Sequence, residues 1–276
     1  MSAANTDETC KTAIEGRLMA NNVLYEQRDN VAIISMNRAD SLNGFTTELC
    51  EELVQAFEKA QSDASIRVIV FTGEGRAFSA GADLKQGFLG DRTTQGKLLF
   101  EYAPVMMAIA EIPKPVIAAV PGFAAGIGLS FALHCDLLIM AEGSFLLSPF
   151  TTISLLPDGG ANWHLVKQLG YHRAYQMSIE SERVSAERCL ELGIANKIAP
   201  ADTLREVSVA WAKELTKRAP LSLAATKKLM RHAMDHDWYS CFTMEAAEQQ
   251  KLRESDDAKE GVAAFFEKRE PKFNGK

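Results

Sequence analysis

The chain reads as an α/β protein with a largely parallel sheet. Short apolar runs rich in Val and Ile alternate with helical stretches as far as residue 141. Two of the runs end in turns built from small residues, and beyond Asp158 the pattern becomes mostly helical. Strands separated by helices need crossover connections, and crossovers bring strands together in parallel.

The elements follow in order. Residues 23–27 and 31–36 read as strands around Arg28-Asp29-Asn30, a hairpin turn. Residues 47–60 form an amphipathic helix with Leu49, Leu53, Ala56 and Phe57 on one stripe. Residues 66–71 are a strand, and 85–96 a polar loop or irregular helix. A helix over 98–112 stops before Pro113. Strands at 116–120 and 136–141 enclose a helix over 127–134. Helices then follow at 158–169, 172–178, 185–192, 202–218 and 221–234, with a final pair after Trp238. The polar residues 1–20 read as a mobile leader.

Composition narrows the functional class. With 276 residues, 47% of them hydrophobic, the chain can bury a sizeable core. A net charge of −6 argues against a nucleic-acid surface. No apolar run is long enough to span a bilayer. The polar, acidic beginning lacks a signal core, so a cytoplasmic location is expected. The five cysteines are scattered and contain no Cys-x-x-Cys, which fits reduced thiols. His232 and His236 lie one helical turn apart but lack a third ligand, so no metal site is expected.

The two turns carry the chemistry. The first runs Phe71-Thr72-Gly73-Glu74-Gly75-Arg76-Ala77-Phe78-Ser79-Ala80-Gly81-Ala82-Asp83-Leu84. The second runs Val120-Pro121-Gly122-Phe123-Ala124-Ala125-Gly126-Ile127-Gly128-Leu129. Small residues let a ligand approach bare backbone N–H groups, and a helix N-terminus favours negative charge. Either turn alone also fits simple tight packing of strand and helix.

Ala80-Gly81-Ala82-Asp83, Gly126-Ile127-Gly128 and Cys135-Asp136, in this order and separation, resemble the enoyl-CoA hydratase/isomerase (crotonase) superfamily. The resemblance runs from about Val23 to Lys276. It implies a spiral of ββα units over residues 21–200 with a C-terminal helical lobe, residues 201–276, used in trimerisation, and a homotrimer or hexamer. It also implies that the N–H groups of Ala82 and Ile127 hold the thioester carbonyl oxygen of an acyl-CoA. Coenzyme A then enters as part of the substrate, with no redox or metal cofactor. Its adenine and phosphates are expected near Leu42, Phe78, Ala80 and Leu84, with Arg38, Lys85 and Lys268 as candidate cations.

The resemblance assigns two glutamates to water-adding members. Ser130 and Phe150 stand in those places here, so hydration by that route is not expected. A different acid is present in Leu156-Pro157-Asp158-Gly159-Gly160. Isomerases of the superfamily carry a carboxylate at this position. Asp158 also suits a helix N-cap, and the two roles pull its pKa in opposite directions. Ser130, Phe150 and Trp163 are the candidate substrate-pocket residues. One carboxylate used twice fits moving a double bond from 3-enoyl-CoA to 2-enoyl-CoA. The tail from Glu260 and the Leu-Pro-Asp-Gly-Gly block followed by Trp163 resemble the ring-1,2-epoxyphenylacetyl-CoA isomerase branch, which rearranges aryl epoxides. An atypical hydratase, a dehalogenase like that acting on 4-chlorobenzoyl-CoA and a non-catalytic acyl-CoA-binding protein remain as alternatives.

Overall fold

The computed structural model describes residues 22–83, 85 and 93–276. The expected leader and most of the expected polar loop lie outside the described residues.

Strands β1 (Val23–Arg28) and β2 (Val31–Met36) form an antiparallel hairpin, as the pattern predicts. Helix α1 (Thr47–Ser62) begins at Thr46, whose side chain accepts the Leu49 N–H. Strand β3 (Val68–Gly73) precedes the first small-residue turn. Residues 94–111 make one continuous helix in three parts: α2 (Thr94–Lys97), a π-helical turn (Leu98–Tyr102) and α3 (Ala103–Glu111). Next come β4 (Val116–Val120), β5 (Phe123–Ala125), α4 (Ile127–His134), β6 (Leu137–Ala141) and β7 (Phe145–Leu147). The rest is α5 (Ala161–Leu169), α6 (Tyr171–Glu180), β8 (Arg183–Ser185), α7 (Ala186–Glu191), β9 (Lys197–Ala199), α8 (Leu204–Thr216), α9 (Pro220–Ala233), α10 (Trp238–Glu254) and α11 (Asp256–Glu267).

The main sheet has six strands in the order β1-β2-β3-β4-β6-β9, and every pair after the hairpin is parallel. A smaller sheet, β5-β7-β8, stands beside it. Alternate side chains of the main sheet serve two cores. Ile34, Phe71, Ala118 and Met140 face the cluster that contains Leu53 and Phe57 of α1, Ile109 of α3 and Phe131 of α4. Ile33, Val70, Ala119 and Ile139 face Leu204, Val209 and Ala212 of α8. Burial on both faces is why these strands read as continuous apolar runs. It also makes α8 a layer of the core, although it lies in the region read as a separate lobe.

The parallel register positions the site. Ile69 pairs with Val116 and Thr72 with Ala119, and the Thr72 hydroxyl donates to the Ala119 carbonyl at 2.8 Å. β3 and β4 therefore end side by side, and both small-residue turns leave the sheet at the same carboxyl edge. That edge is where open α/β sheets place their ligands.

Asp136 fastens this layer to the C-terminal helices. Its carboxylate accepts the Val116 N–H at 2.9 Å and pairs with Lys227 at 2.7 Å and Arg231 at 2.8 Å, both from α9. The outer helices α10 and α11 carry Trp238, Phe265 and Phe266, each about three-quarters exposed. No helix among the described residues is long and apolar enough to cross a membrane.

Candidate active site

The first turn is held by side chains from the segment before α1. Asn43 donates to the carbonyls of Glu74 and Ala77, both at 2.9 Å, and accepts the Arg38 N–H at 2.9 Å. Ser79 donates to the Asn43 carbonyl at 2.7 Å and accepts the Gly81 N–H at 3.1 Å. The Arg38 guanidinium bonds the Gly44 carbonyl and the Asp83 carboxylate, the latter at 2.9 Å. Phe45 bridges to Ala82: its N–H meets the Gly81 carbonyl at 2.8 Å and its carbonyl accepts from Asp83 N–H at 3.0 Å. In such a bridge the middle residue turns its own N–H to the other side. The Ala82 N–H has no partner among the described residues, and Ala82 is exposed.

The second turn ends at the N-terminus of α4. Gly126 donates to the Leu147 carbonyl at 3.1 Å, and Leu129 donates to the Gly126 carbonyl at 3.0 Å. The Ile127 N–H between them has no partner among the described residues. It is the first amide of a helix, so it also carries the positive end of the helix dipole. The two turns touch. Ala125 donates to the Ser79 carbonyl at 2.9 Å. Gly81 has φ +106, and a Cβ there would lie 3.1 Å from the Ala125 carbonyl oxygen and 3.6 Å from the Ile127 nitrogen. Glycine is what allows the backbone next to Ala82 to sit against the second amide.

The acid loop packs on the first turn of the same helix. The Ser130 hydroxyl donates to the Asp158 carbonyl at 2.7 Å, and Asn162 donates to the Pro157 carbonyl at 2.7 Å. A Cβ on Gly159 would fall 2.3 Å from Ile127 Cδ1 and 3.0 Å from Ser130 Cβ. The Asp158 side chain is half-buried, and its Oδ1 atom is buried without a hydrogen-bond partner among the described residues. Burial pushes its carboxyl up to about 6, because the charged form loses solvation.

The N-cap reading of Asp158 is corrected. α5 starts at Ala161, its N-cap is Gly160, and no side chain caps it. Gly159 at φ +59 and Gly160 at φ +78 take the chain through a left-handed turn between the acid and the helix. The carboxyl group is thereby left outside the helix.

The remaining expected residues divide. Phe150 is buried, and its ring edge lies 3.9 Å from the Cβ position of Gly126, beside the second turn. Ser130 sits beneath the acid loop as a tether. Trp163 turns toward the connection between α9 and α10: its indole N–H donates to Asp235 at 3.3 Å and its ring packs on His164. Phe78 is fully buried, with its ring centroid 5.1 Å from that of Phe71, so its side chain belongs to the core rather than to a ligand. Arg38 is committed to Asp83 and serves the turn. The Leu42 carbonyl accepts the Ala80 N–H at 2.9 Å, which leaves Ala80 exposed at the mouth of the turn. Lys85 and Lys268 are exposed cations. Leu84 lies outside the described residues. Asn43, Ser79 and Tyr102 were not singled out from the sequence. The partners that Asn43 and Ser79 reach lie 34 and 36 positions away, and Tyr102 had no local signal.

The enoyl-CoA hydratase/isomerase family profile matches residues 26–276. The chain belongs to this family. A probable enoyl-CoA hydratase of Rhodobacter capsulatus is 35% identical over 254 residues, covering 92% of this chain and 98% of the relative. The 1,2-epoxyphenylacetyl-CoA isomerase of Escherichia coli is 31% identical over 258 residues, covering 92% of this chain and 98% of the relative. The crystal structure of an enoyl-CoA hydratase from Bacillus anthracis superposes with a TM-score of 0.89 at 29% identity, covering 93% of this chain and all of that one. The architecture is therefore the crotonase fold, and the protein is an acyl-CoA enzyme of the hydratase/isomerase type. Hydratases and isomerases both stand among the similar proteins, so the residues of the site have to separate them.

Proposed function

We propose that this family member is an acyl-CoA thioester isomerase that converts 3-enoyl-CoA to 2-enoyl-CoA. The observation that carries the reading is the single half-buried carboxyl of Asp158, with an unpartnered oxygen, on a loop packed against the helix that presents the Ile127 amide. Ser130 and Phe150 supply no carboxylate at the two positions where the resemblance puts the hydratase glutamates.

The thioester carbonyl oxygen accepts from the N–H groups of Ala82 and Ile127. Ionised Asp158 takes a proton from the carbon next to the thioester. The electron pair of that C–H bond moves into the carbonyl, giving a dienolate whose negative oxygen rests on the two amides. Neutral Asp158 then returns the proton at the third carbon from the thioester carbon. The double bond ends between the second and third acyl carbons, and no atom is gained or lost. The amides act on charge that develops only during the reaction, where preorganised donors contribute most. A carboxyl near 6 suits both halves, because a proton carrier works best with a pKa close to the working pH. The scheme needs no redox or metal cofactor.

The same donors and acid suit rearrangement of an aryl-epoxide CoA thioester, the substrate class in the name of the Escherichia coli relative. Exposed Lys85 and Lys268 are the cations available to the phosphates of coenzyme A. The exposed aromatics of α10 and α11 fit self-association as a trimer or hexamer, which light scattering on the purified protein tests. The activity test is a spectrophotometric screen of 3-enoyl-, 2-enoyl- and aryl-CoA thioesters with the Asp158→Asn variant alongside. The reading expects conversion of the 3-enoyl thioester to the conjugated product, lost in the variant. Binding without turnover favours an acyl-CoA-binding protein, and hydration without isomerisation favours an atypical hydratase.

A further inference from the structure

Tyr102 is a buried polar group that the scheme above leaves unused. It closes the π-helical turn Leu98–Tyr102, the kind of local widening that recurs at functional sites. Only 3% of it is exposed, and its hydroxyl has no hydrogen-bond partner among the described residues. Its ring packs on the stacked pair Phe45 and Phe131, whose centroids are 4.1 Å apart. It lies edge-on to Phe45, which bridges to Ala82, and edge-on to Phe131, which follows Ile127 by one turn on α4; both centroid distances are 6.1 Å. Tyr102 thus packs against rings from both segments that present the free amides. Met106, one turn further along the same helix, reaches within 2.7 Å of the Cβ position of Gly159. This face of the helix therefore looks onto the acid loop.

Burial raises the Tyr102 pKa, and the nearby Cys50, Asp158, Glu101 and Asp83 raise it further. The phenol stays protonated and acts as a donor. Thus a donor without an acceptor and an acid with a bare oxygen, Asp158 Oδ1, flank the same pair of turns. A buried donor left unmatched is costly, and a site that keeps one rewards a ligand that supplies the acceptor.

We infer that the Tyr102 hydroxyl is a specificity-determining donor that binds a hydroxyl or ether oxygen carried on the acyl part of the thioester substrate. This narrows the substrate class to oxygen-bearing acyl-CoA thioesters, and it rests on the reading of Asp158 and the two amides as the acyl-CoA site.

The test is a binding cycle, so it does not depend on turnover. Dissociation constants are measured for hexanoyl-CoA, 3-hydroxyhexanoyl-CoA and 4-hydroxyhexanoyl-CoA with the wild-type protein and with Tyr102→Phe. The wild type is expected to bind at least one hydroxylated probe more tightly than hexanoyl-CoA, and the variant to reduce that preference about tenfold. The unfolding temperature of the variant is expected to be unchanged or higher, because only an unpartnered oxygen is removed. A wild type with no preference for either hydroxylated probe overturns the inference, whether or not the variant folds. So does a preference that survives in Tyr102→Phe, and so does an unpartnered hydroxyl that serves only a bound water, which yields no preference. A preference that is present and lost in the variant, with no isomerase turnover by the wild type, keeps the inference and rejects the isomerase reading.

Discussion

Replacing Asp158 by Asn separates the cost of the acid from its use. Its carboxyl lies near 6 against an ordinary 3.8. The folded protein therefore holds this proton more tightly than the unfolded chain does. The group costs nothing below about pH 4, destabilises progressively between about 4 and 6, and costs its full amount above about 6. The displacement corresponds to a ceiling of about 3 kcal/mol. The side chain is only half-buried, and solvent screening brings the expected figure to about 1–2 kcal/mol. Urea unfolding at fixed protein concentration, repeated from pH 4 to pH 8, gives the comparison. Asp158→Asn is expected to be more stable than the wild type by that amount at pH 7.5 and equal to it at pH 4. Isomerase turnover is expected to fall by about 10²–10⁴-fold, the usual worth of a general acid–base group. A variant that is no more stable at pH 7.5, or whose advantage does not change with pH, refutes the claim that burial disfavours the ionised acid.

Three further outcomes follow from the same contacts. The wild-type kcat/KM for the 3-enoyl thioester should rise with pH through about 6 and then level, since Asp158 must begin ionised; burial keeps His164 down at about 3 and lowers His134 too, so neither imidazole accounts for that limb. Ser130→Ala, which frees the Asp158 carbonyl from its 2.7 Å bond, should cost about 1 kcal/mol in urea unfolding and lower kcat more than it raises KM, with Ser130→Thr restoring part of the loss. Gly159→Ala forces a side chain into a left-handed backbone and against Ile127 and Met106, and should cost about 1–2 kcal/mol by the same assay together with a clear loss of turnover; wild-type values would contradict the packing of the loop on α4.

Much of the scaffold was legible in the residues because its signals are local. The apolar runs of β2, β3 and β4 are bounded by turn residues, and the stripe of α1 is regular. The strands β5, β7, β8 and β9 were not foreseen, because each has three residues and no periodicity can show in so short a run. The packing of α8 was not legible because its partner face, Val70 and Ile139, is distant in sequence. The family resemblance made Ala82, Ile127 and Asp158 readable. What holds them was not: the bonds of Asn43, Ser79 and Arg38 join residues some 30 to 45 positions apart. Phe78 lies two residues from exposed Ala80, but its ring packs on Phe71 in the core. Asp158 looked like a cap because the two glycines that separate it from α5 adopt a conformation the letters alone do not show. Tyr102 is concealed for the same reason, since the π-helical turn that directs it inward has no signature in composition.

Proline at position 127 tests the pair of amides most directly. Ile127 is the first residue of α4, where proline is tolerated because its missing N–H has no helical partner. Ile127→Pro should therefore fold with an unfolding temperature near that of Ile127→Val, the control for the altered side chain, and kcat should fall about 10²–10³-fold, the worth of one oxyanion donor. A well-folded proline variant that turns over 3-enoyl-CoA as fast as the valine control would show that no charge develops at that nitrogen.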